Sequence, residues 1–486
     1  MIVMKFGGTS VADANAVRRV IGIVKSRVSE RPVVVVSAFS GVTDALLRAG
    51  QLAIRGKLHA VLKSVDVLRR RSIEIAGGLL ESTVRVELLR EIERDLDTLE
   101  RLLGGVAAVG ELSPRTIDAV AAFGELISSK TVAAALAAAG VNSKFIDSRE
   151  CMITDGQHTR AVPLFSETEA RLLANVAPVA GRGIVPVLGG FIGATVDGVT
   201  TTIGRGGSDF SAAVFGGCLQ ANRVEIWTDV DGIMTTDPRV CPEASTVDEI
   251  GFEEAAQLAA FGAKVIHPAT LVPAVQQGIP VWVLNTFNPT ARGTCIQRDV
   301  RGRGSRVKAI AAKRGVSVFS VSAGRVLERQ GFLQNVFDVL DQNRCPVELV
   351  CSSESTVSIA IAPGNAAEAI ETQLATIGAV EHEAGKAILC LVGHDLFASP
   401  EVIATVFDAL RDLEVRMVSQ GASRTNLAVV VDDADAETAI RLLHSALFGK
   451  PGPEAAGSVS GSFNDAATAE PSAAAIVSGG NAAQAY

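Results

Sequence analysis

Aromatic residues make up only 4% of the 486-residue chain, with a single tyrosine and two tryptophans. With 48% hydrophobic and 20% charged residues, that composition excludes a fully disordered chain and a collagen-like one. Basic charge is not in excess either. Lys and Arg number 45 against 53 Asp and Glu, a formal net charge of −8, and a polyanion partner calls for the opposite balance. The basic run Arg69-Arg70-Arg71 is followed closely by acids, the pattern of a solvated helix face. The seven cysteines form no C-x-x-C pair and share no metal-ligand spacing with the six scattered histidines. A disulfide framework and a zinc site are therefore not expected. No run of about 20 apolar residues is present, since Pro268, Pro273, Pro280 and Pro289 break the longest uncharged stretches. The N-terminal residues lack a basic segment followed by an apolar core and a small-residue cleavage site. A cytoplasmic protein away from membranes and nucleic acids is the expectation.

What is present is a 48% hydrophobic chain, too long for one ordinary core. Residues 1–300 alternate apolar, β-rich runs with helical patterns. Ile2–Phe6, Pro32–Ser37, Ser143–Asp147, Ile184–Gly189, Val224–Thr228 and Pro280–Asn285 read as strands, several of them covered on both faces. A stripe of Val17, Val20, Ile21, Val24 and Val28 predicts a helix, as does the charged stretch from about Arg85 to Leu103. Such alternation implies a mostly parallel sheet in a three-layer αβα sandwich. Residues 301–306, Arg-Gly-Arg-Gly-Ser-Arg, suit a linker. An internal duplication follows at an offset of 70 residues. Val336-Phe337-Asp338-Val339-Leu340 matches Val406-Phe407-Asp408-Ala409-Leu410, and 366–370 matches 436–440. The expected parse is 1–300, 307–384, 385–449, and an Ala/Gly/Ser-rich tail at 450–486 with too little apolar surface to order.

Five segments carry chemistry. Lys5-Phe6-Gly7-Gly8-Thr9-Ser10 ends a strand and starts a helix. Its glycines let backbone N–H groups approach an anion, and Lys5 adds a full charge. Ser10 and Asp13 suggest a capping pair. It is neither a Walker A loop nor G-x-G-x-x-G. Ser37–Asp44 lines a second strand-to-helix loop with hydroxyls that suit a polar substrate, and for this segment taken alone a plain helix cap by Ser40 or Thr43 is the favoured reading. Gly204-Arg205-Gly206-Gly207-Ser208-Asp209 gathers backbone amides, a bidentate cation and an anion, which together suit a phosphate beside a carboxylate substrate. Trp227–Arg239 holds Asp229, Asp231, Asp237 and Arg239 and could meet a nucleotide or a metal, although an EF-hand's spacing and distal Glu are missing. Gly262–Pro268 offers Lys264. Glu125 in Phe123-Gly124-Glu125 is either a surface acid or an amine ligand.

These motifs, in this order, resemble the aspartate kinases of the amino-acid kinase superfamily. The duplicated half resembles that family's paired ACT domains, including Val418–Ser423. The resemblance spans about residues 3–449. It implies an amino-acid kinase fold followed by two βαββαβ ACT-type domains. It also implies transfer of phosphate from Mg²⁺-bound ATP to the β-carboxylate of L-aspartate, giving 4-phospho-L-aspartate on the way to lysine, threonine and methionine. Lys5, Asp209 and Lys264 would be catalytic. ATP would lie against Lys5, Gly7, Gly8, Thr228, Asp229, Met234, Arg239 and Lys264. Met234 stands where family members often have a tyrosine. Aspartate would lie against Ser37, Thr43, Glu125, Phe191, Arg205 and Ser208, with Arg205 on its α-carboxylate and Glu125 on its ammonium. An amino-acid effector would bind Val326, Phe332, Leu333, Glu348, Ser353 and Glu354 at an interface of a homodimer or homotetramer. Lysine is the preferred effector and threonine the alternative, although lysine-sensitive members often show Asp where Glu348 stands. No dedicated protein metal site and no fused dehydrogenase are expected. A glutamate-type kinase and a non-catalytic amino-acid sensor are the competing readings. The presence of Lys5 and Asp209 argues against the sensor.

Overall fold

The computed structural model describes residues 1–204, 206–262, 268–298, 300, 306–323, 331–362, 364, 367–421 and 423–449. The N-terminal half opens with β1 (Ile2–Phe6), α1 (Ala14–Arg27), β2 (Pro32–Val36) and α2 (Val42–Ile54). Four helices follow: α3 (Leu58–Leu79), α4 (Ser82–Val109), α5 (Pro114–Ala121) and α6 (Phe123–Ala138). Next come β3 (Ser143–Phe145), α7 (Phe165–Asn175), α8 (Ala177–Gly181), β4 (Val185–Gly189), β5 (Ile192–Ala194) and β6 (Thr200–Thr202). The half closes with α9 (Gly207–Cys218), β7 (Val224–Thr228), β8 (Glu249–Gly251), α10 (Phe252–Ala260), α11 (Val272–Gln276), β9 (Val281–Asn285) and β10 (Thr294–Gln297).

Eight strands form one sheet in the order β3-β4-β2-β1-β7-β9-β10-β8. Every pairing is parallel except β9 with β10. The apolar runs are buried on both faces for a visible reason: alternate residues feed two cores. Val3, Val33, Val35 and Ile226 pack with α7, α9 and α11. Ile2, Met4, Phe6, Val34 and Val36 pack with α1, α2, α4 and α6. The result is the three-layer sandwich with a largely parallel sheet. Two local expectations change. The helix expected from Arg85 to Leu103 runs from Ser82 to Val109. Ser10 caps nothing, because Asp13 is the N-cap of α1, accepting from the Ala16 N–H at 2.8 Å, while the buried Ser10 hydroxyl bonds Thr286 Oγ1 at 2.7 Å. The helical stretch Pro114–Ala138 is long and apolar enough to cross a membrane, yet it is mostly buried inside the protein.

The C-terminal half contains β11 (Val307–Ser322), α12 (Phe332–Gln342), β12 (Val347–Ser352), β13 (Thr356–Ile361), α13 (Ala367–Leu374) and β14 (Ala379–Gly393). It continues with α14 (Pro400–Ala409), β15 (Met417–Gln420), β16 (Asn426–Asp432) and α15 (Ala436–Phe448). Its antiparallel sheet runs β12-β13-β11-β14-β16-β15. β11 and β14 are long strands shared by both repeats. Ser317–Ser322 of β11 pairs with β13, whereas Val307–Lys313 pairs with the end of β14 that also meets β16.

The two halves touch at the loop after β7. The Ile310 N–H donates to Thr235 O at 2.7 Å. Thr235 Oγ1 lies 2.9 Å from His444 Nε2, and Arg441 Nε donates to Val240 O at 2.9 Å.

Candidate active site

A cleft of about 800 Å³ opens where strands β1, β2 and β7 end and the following helices begin, the place where open α/β sheets gather ligands. Lys5 enters it from the centre of the sheet, opposite Val35 and Ile226 in register. The residue is 7% exposed, and its Nζ forms an ion pair with Asp209 Oδ1 at 2.6 Å. Asp209 stands in the first turn of α9, where partial positive charge favours an acid. Gly7 and Gly8 approach closely: a Cβ on Gly8 would lie 3.0 Å from Ala38 O.

The second loop crosses over them. Ser37 and Thr43 line the cleft. The cap reading fails for both Ser40 and Thr43, because α2 starts at Gly41 in left-handed conformation (φ +75°) with no side-chain cap. That frees the Thr43 hydroxyl from a structural duty at the helix start. Glu125 projects from α6 and is buried. Its Oε1 accepts from the Ala38 N–H at 3.1 Å, and its Oε2 finds no partner among the described residues. Burial pushes this carboxyl up to about 8, because the charged form loses its hydration. It is neither a surface acid nor a satisfied core residue. Across the cleft stand Phe191, held at φ +64°, and Ser208. The strained Phe191 is fixed by its N–H donating to Ser211 Oγ at 3.0 Å. A Cβ on Gly190 would sit 2.7 Å from Ser208 Cβ, so the turn after β4 approaches the start of α9 closely enough to require glycine there.

Thr228 and Asp229 line the same cleft at the end of β7. Met234 and Arg239 do not. Met234 pairs with Thr246, and the Arg239 side chain is 88% exposed and bonded to Asp237. Arg205, Lys264 and Val326 lie outside the described residues. In the C-terminal half, Phe332 lines a groove of about 520 Å³ with Asn335, Asp338 and Ile377. Leu333 is exposed beside it. Glu348 is already paired with Lys313 Nζ at 2.5 Å, while Ser353 and Glu354 occupy the turn between β12 and β13. Of the described effector candidates, Phe332 alone lines that groove. No cluster of three His, Cys, Asp or Glu side chains suited to a metal occurs among the described residues.

Sequence reasoning missed four cleft-side residues: Asp118, His158, Thr159 and Thr202. The available signal was a lone acid on the otherwise apolar face Ile117–Val120 of a short helix, since buried carboxylates persist only when paired.

The fold and the cleft define a kinase of small carboxylic acids with an attached regulatory half. Residues 1–285 match the amino acid kinase family, and residues 389–447 match the ACT domain. The chain belongs to the aspartokinases, enzymes that phosphorylate aspartate under allosteric control. It is 36% identical to the lysine-sensitive aspartokinase 3 of Escherichia coli, covering 92% of this chain and 99% of that protein. It is 34% identical to the chloroplastic aspartokinase 2 of Arabidopsis thaliana, covering 92% and 84%. Among solved structures, E. coli aspartokinase III in complex with lysine and aspartate (T-state) superposes with a TM-score of 0.78 at 35% identity, covering 92% of this chain and 99% of that one. The same enzyme in complex with aspartate and ADP (R-state) gives 0.72 at 35%, covering 92% and 100%.

Proposed function

We propose that this cleft transfers the γ-phosphoryl group of ATP to the β-carboxylate of L-aspartate, that the enzyme serves amino-acid biosynthesis, and that lysine restrains it through the ACT half. The carrying observation is the convergence in one cleft of Lys5, Asp209, the Gly7–Gly8 turn and the buried Glu125 carboxylate, whose Oε2 has no partner among the described residues. The nucleophile is a carboxylate, ionised at neutral pH, so no general base is required. The chemistry instead needs in-line placement and charge neutralisation on the phosphoryl oxygens. Lys5 suits the transferring group, and its pairing with Asp209 fixes the ammonium in place. The amides of Gly7 and Gly8 suit phosphate oxygens, and Thr228 and Asp229 suit the nucleotide. Lys264, Arg239 and Met234 belong to the nucleotide side of the proposal. Mg²⁺ would arrive with the nucleotide and neutralise phosphate charge. Asp209, a carboxylate on the cleft wall, is the residue suited to face it.

At the acceptor end, Glu125 suits the substrate ammonium, because its buried Oε2 has an open lone pair. Arg205 and Ser208 suit the α-carboxylate, and Ser37, Thr43 and Phe191 the remaining surface. Relatives support the ligand set. The E. coli structures carry aspartate with lysine or with ADP. The effector would meet Phe332, Leu333, Val326, Glu348, Ser353 and Glu354 across two copies of the chain in a homodimer or homotetramer. The parse proposed is a kinase domain at 1–300, ACT domains at 307–384 and 385–449 and the tail at 450–486, with the Val307–Lys313 strand lying beside the second repeat. Seven unbridged cysteines suit a reducing compartment such as the cytoplasm.

The test is an ADP-release assay with aspartate, then glutamate, each with and without millimolar lysine or threonine. Turnover with aspartate and inhibition by lysine are expected. Turnover with glutamate alone would overturn the substrate, and a fall with threonine but not lysine would reverse the effector.

A further inference from the structure

A fully buried carboxylate stands directly behind the acceptor wall, and none of the roles above uses it. Asp118 in α5 is 0% exposed. Thr202 Oγ1 donates to its Oδ1 at 2.5 Å, the Thr159 N–H lies 3.0 Å from both oxygens, and His158 Nδ1 lies 2.7 Å from Oδ2. The helix neighbours Ile117 and Ala121 line the cleft, as do Thr159 and Thr202.

The bonding reaches further. Thr159 sits at φ +69°, a left-handed conformation that a β-branched residue keeps only when its surroundings impose it. The Thr159 carbonyl oxygen abuts Gly204: a Cβ there would lie 3.0 Å away, and Gly204 is itself at φ +88°. Gly204 opens the turn that leads through Gly206 to Ser208 and Asp209. The Ala161 N–H, two residues on, donates to Thr202 O at 2.9 Å. One carboxylate therefore fixes the segment 158–161, the end of β6 and, through them, the glycine turn before α9.

We propose that Asp118 and His158 are positioning residues for the acceptor substrate. Asp118 is the anchor, and His158 donates the hydrogen bond that locks the 158–161 segment against it. Neither touches the reacting atoms. Their effect is on the shape of the acceptor wall and on where the turn before Ser208 begins. The proposal rests on the aspartate-kinase reading and names the residues that set its acceptor site.

The experiment compares His158→Phe, which removes the donor, with His158→Asn, which keeps an N–H able to reach Asp118. The KM for aspartate, the KM for ATP and kcat are measured separately. Hydrogen–deuterium exchange of residues 155–162 is followed without substrate. His158→Phe is expected to raise the aspartate KM about fivefold or more, with the ATP KM and kcat within about twofold, the cost of one lost hydrogen bond to a charge. Exchange at 155–162 should quicken. His158→Asn should restore both readouts. Asp118→Asn should act in the same direction and more strongly. Equal behaviour of the Phe and Asn variants, or a parallel rise in both KM values, would overturn the proposal, and the His158 pair decides it even if Asp118→Asn fails to fold. A wild-type enzyme inert toward aspartate would sink the functional reading instead, and the exchange contrast would still judge the bonding.

Discussion

Lowering the pH from 9 to 6 should empty the acceptor site before it slows the chemistry. Glu125 is buried, and the loss of hydration lifts its carboxyl from 4.5 to about 8. Only the ionised form can pair with the substrate ammonium. At pH 7 the free enzyme then holds about ten protonated sites for each ionised one, so the aspartate KM should be about tenfold above its high-pH limit. At pH 6 the factor is about a hundredfold. The substrate's own β-carboxylate, with an ordinary value near 3.9, stays ionised throughout and cannot produce this slope. Once aspartate is bound, its ammonium keeps Glu125 ionised, so kcat should change little and the ATP KM should stay flat. Initial rates of ADP release across the pH range measure all three. Calorimetry in two buffers at pH 7 should show about 0.9 proton released per aspartate bound. A KM constant within twofold from pH 6 to 9, or proton uptake on binding, would refute the reasoning.

The same carboxyl predicts a stability effect. Its folded value lies above the unfolded 4.5, so the folded state favours the proton, and stability is lost as pH rises from 4.5 through about 8. The full loss is about 5 kcal/mol. Ligand-free Glu125→Gln should therefore be more stable than wild type at pH 9 by up to that amount and should show no gain at pH 4.5, as read by urea unfolding. Lys5→Ala should lower kcat by about 100-fold or more with an unchanged circular dichroism spectrum; near-normal turnover would contradict the role given to Lys5. Gly190→Ala forces a Cβ to 2.7 Å from Ser208, and should cost about 1–3 kcal/mol of stability and raise the aspartate KM. Thr235→Val removes the bond between Thr235 and His444, whose imidazole burial makes harder to protonate. It should raise the ATP KM and leave the aspartate KM unchanged, because the loop it loosens follows Asp229.

The central strands were legible because each sits between two cores. A run such as Pro32–Val36 has no polar alternation to preserve, and all five residues are buried. The loops that carry the cleft were legible through their combination, since Lys5-Phe6-Gly7-Gly8, Ser37–Asp44 and Gly206–Asp209 all follow strands whose ends meet at one cleft, although a helix cap competed for the hydroxyls. The bonding around Asp118 was not. Its partners lie 40, 41 and 84 residues away, and no local period encodes such a distance. Ser10 misled for a related reason: the S-x-x-D spacing is local, but its hydroxyl is claimed by Thr286, 276 residues on. The 70-residue repeat announced two similar units. It could not announce that β11 and β14 would each run through both, because strand partners are chosen by tertiary packing.

That crossing has a practical consequence. The polypeptide leaving the N-terminal sheet visits the second repeat first, along Val307–Lys313, and only then builds the first one. Truncation after β13 would strand that entry segment without the neighbour it needs, and the second repeat cut out alone would lack a border strand. Neither module can be excised cleanly at a single cut.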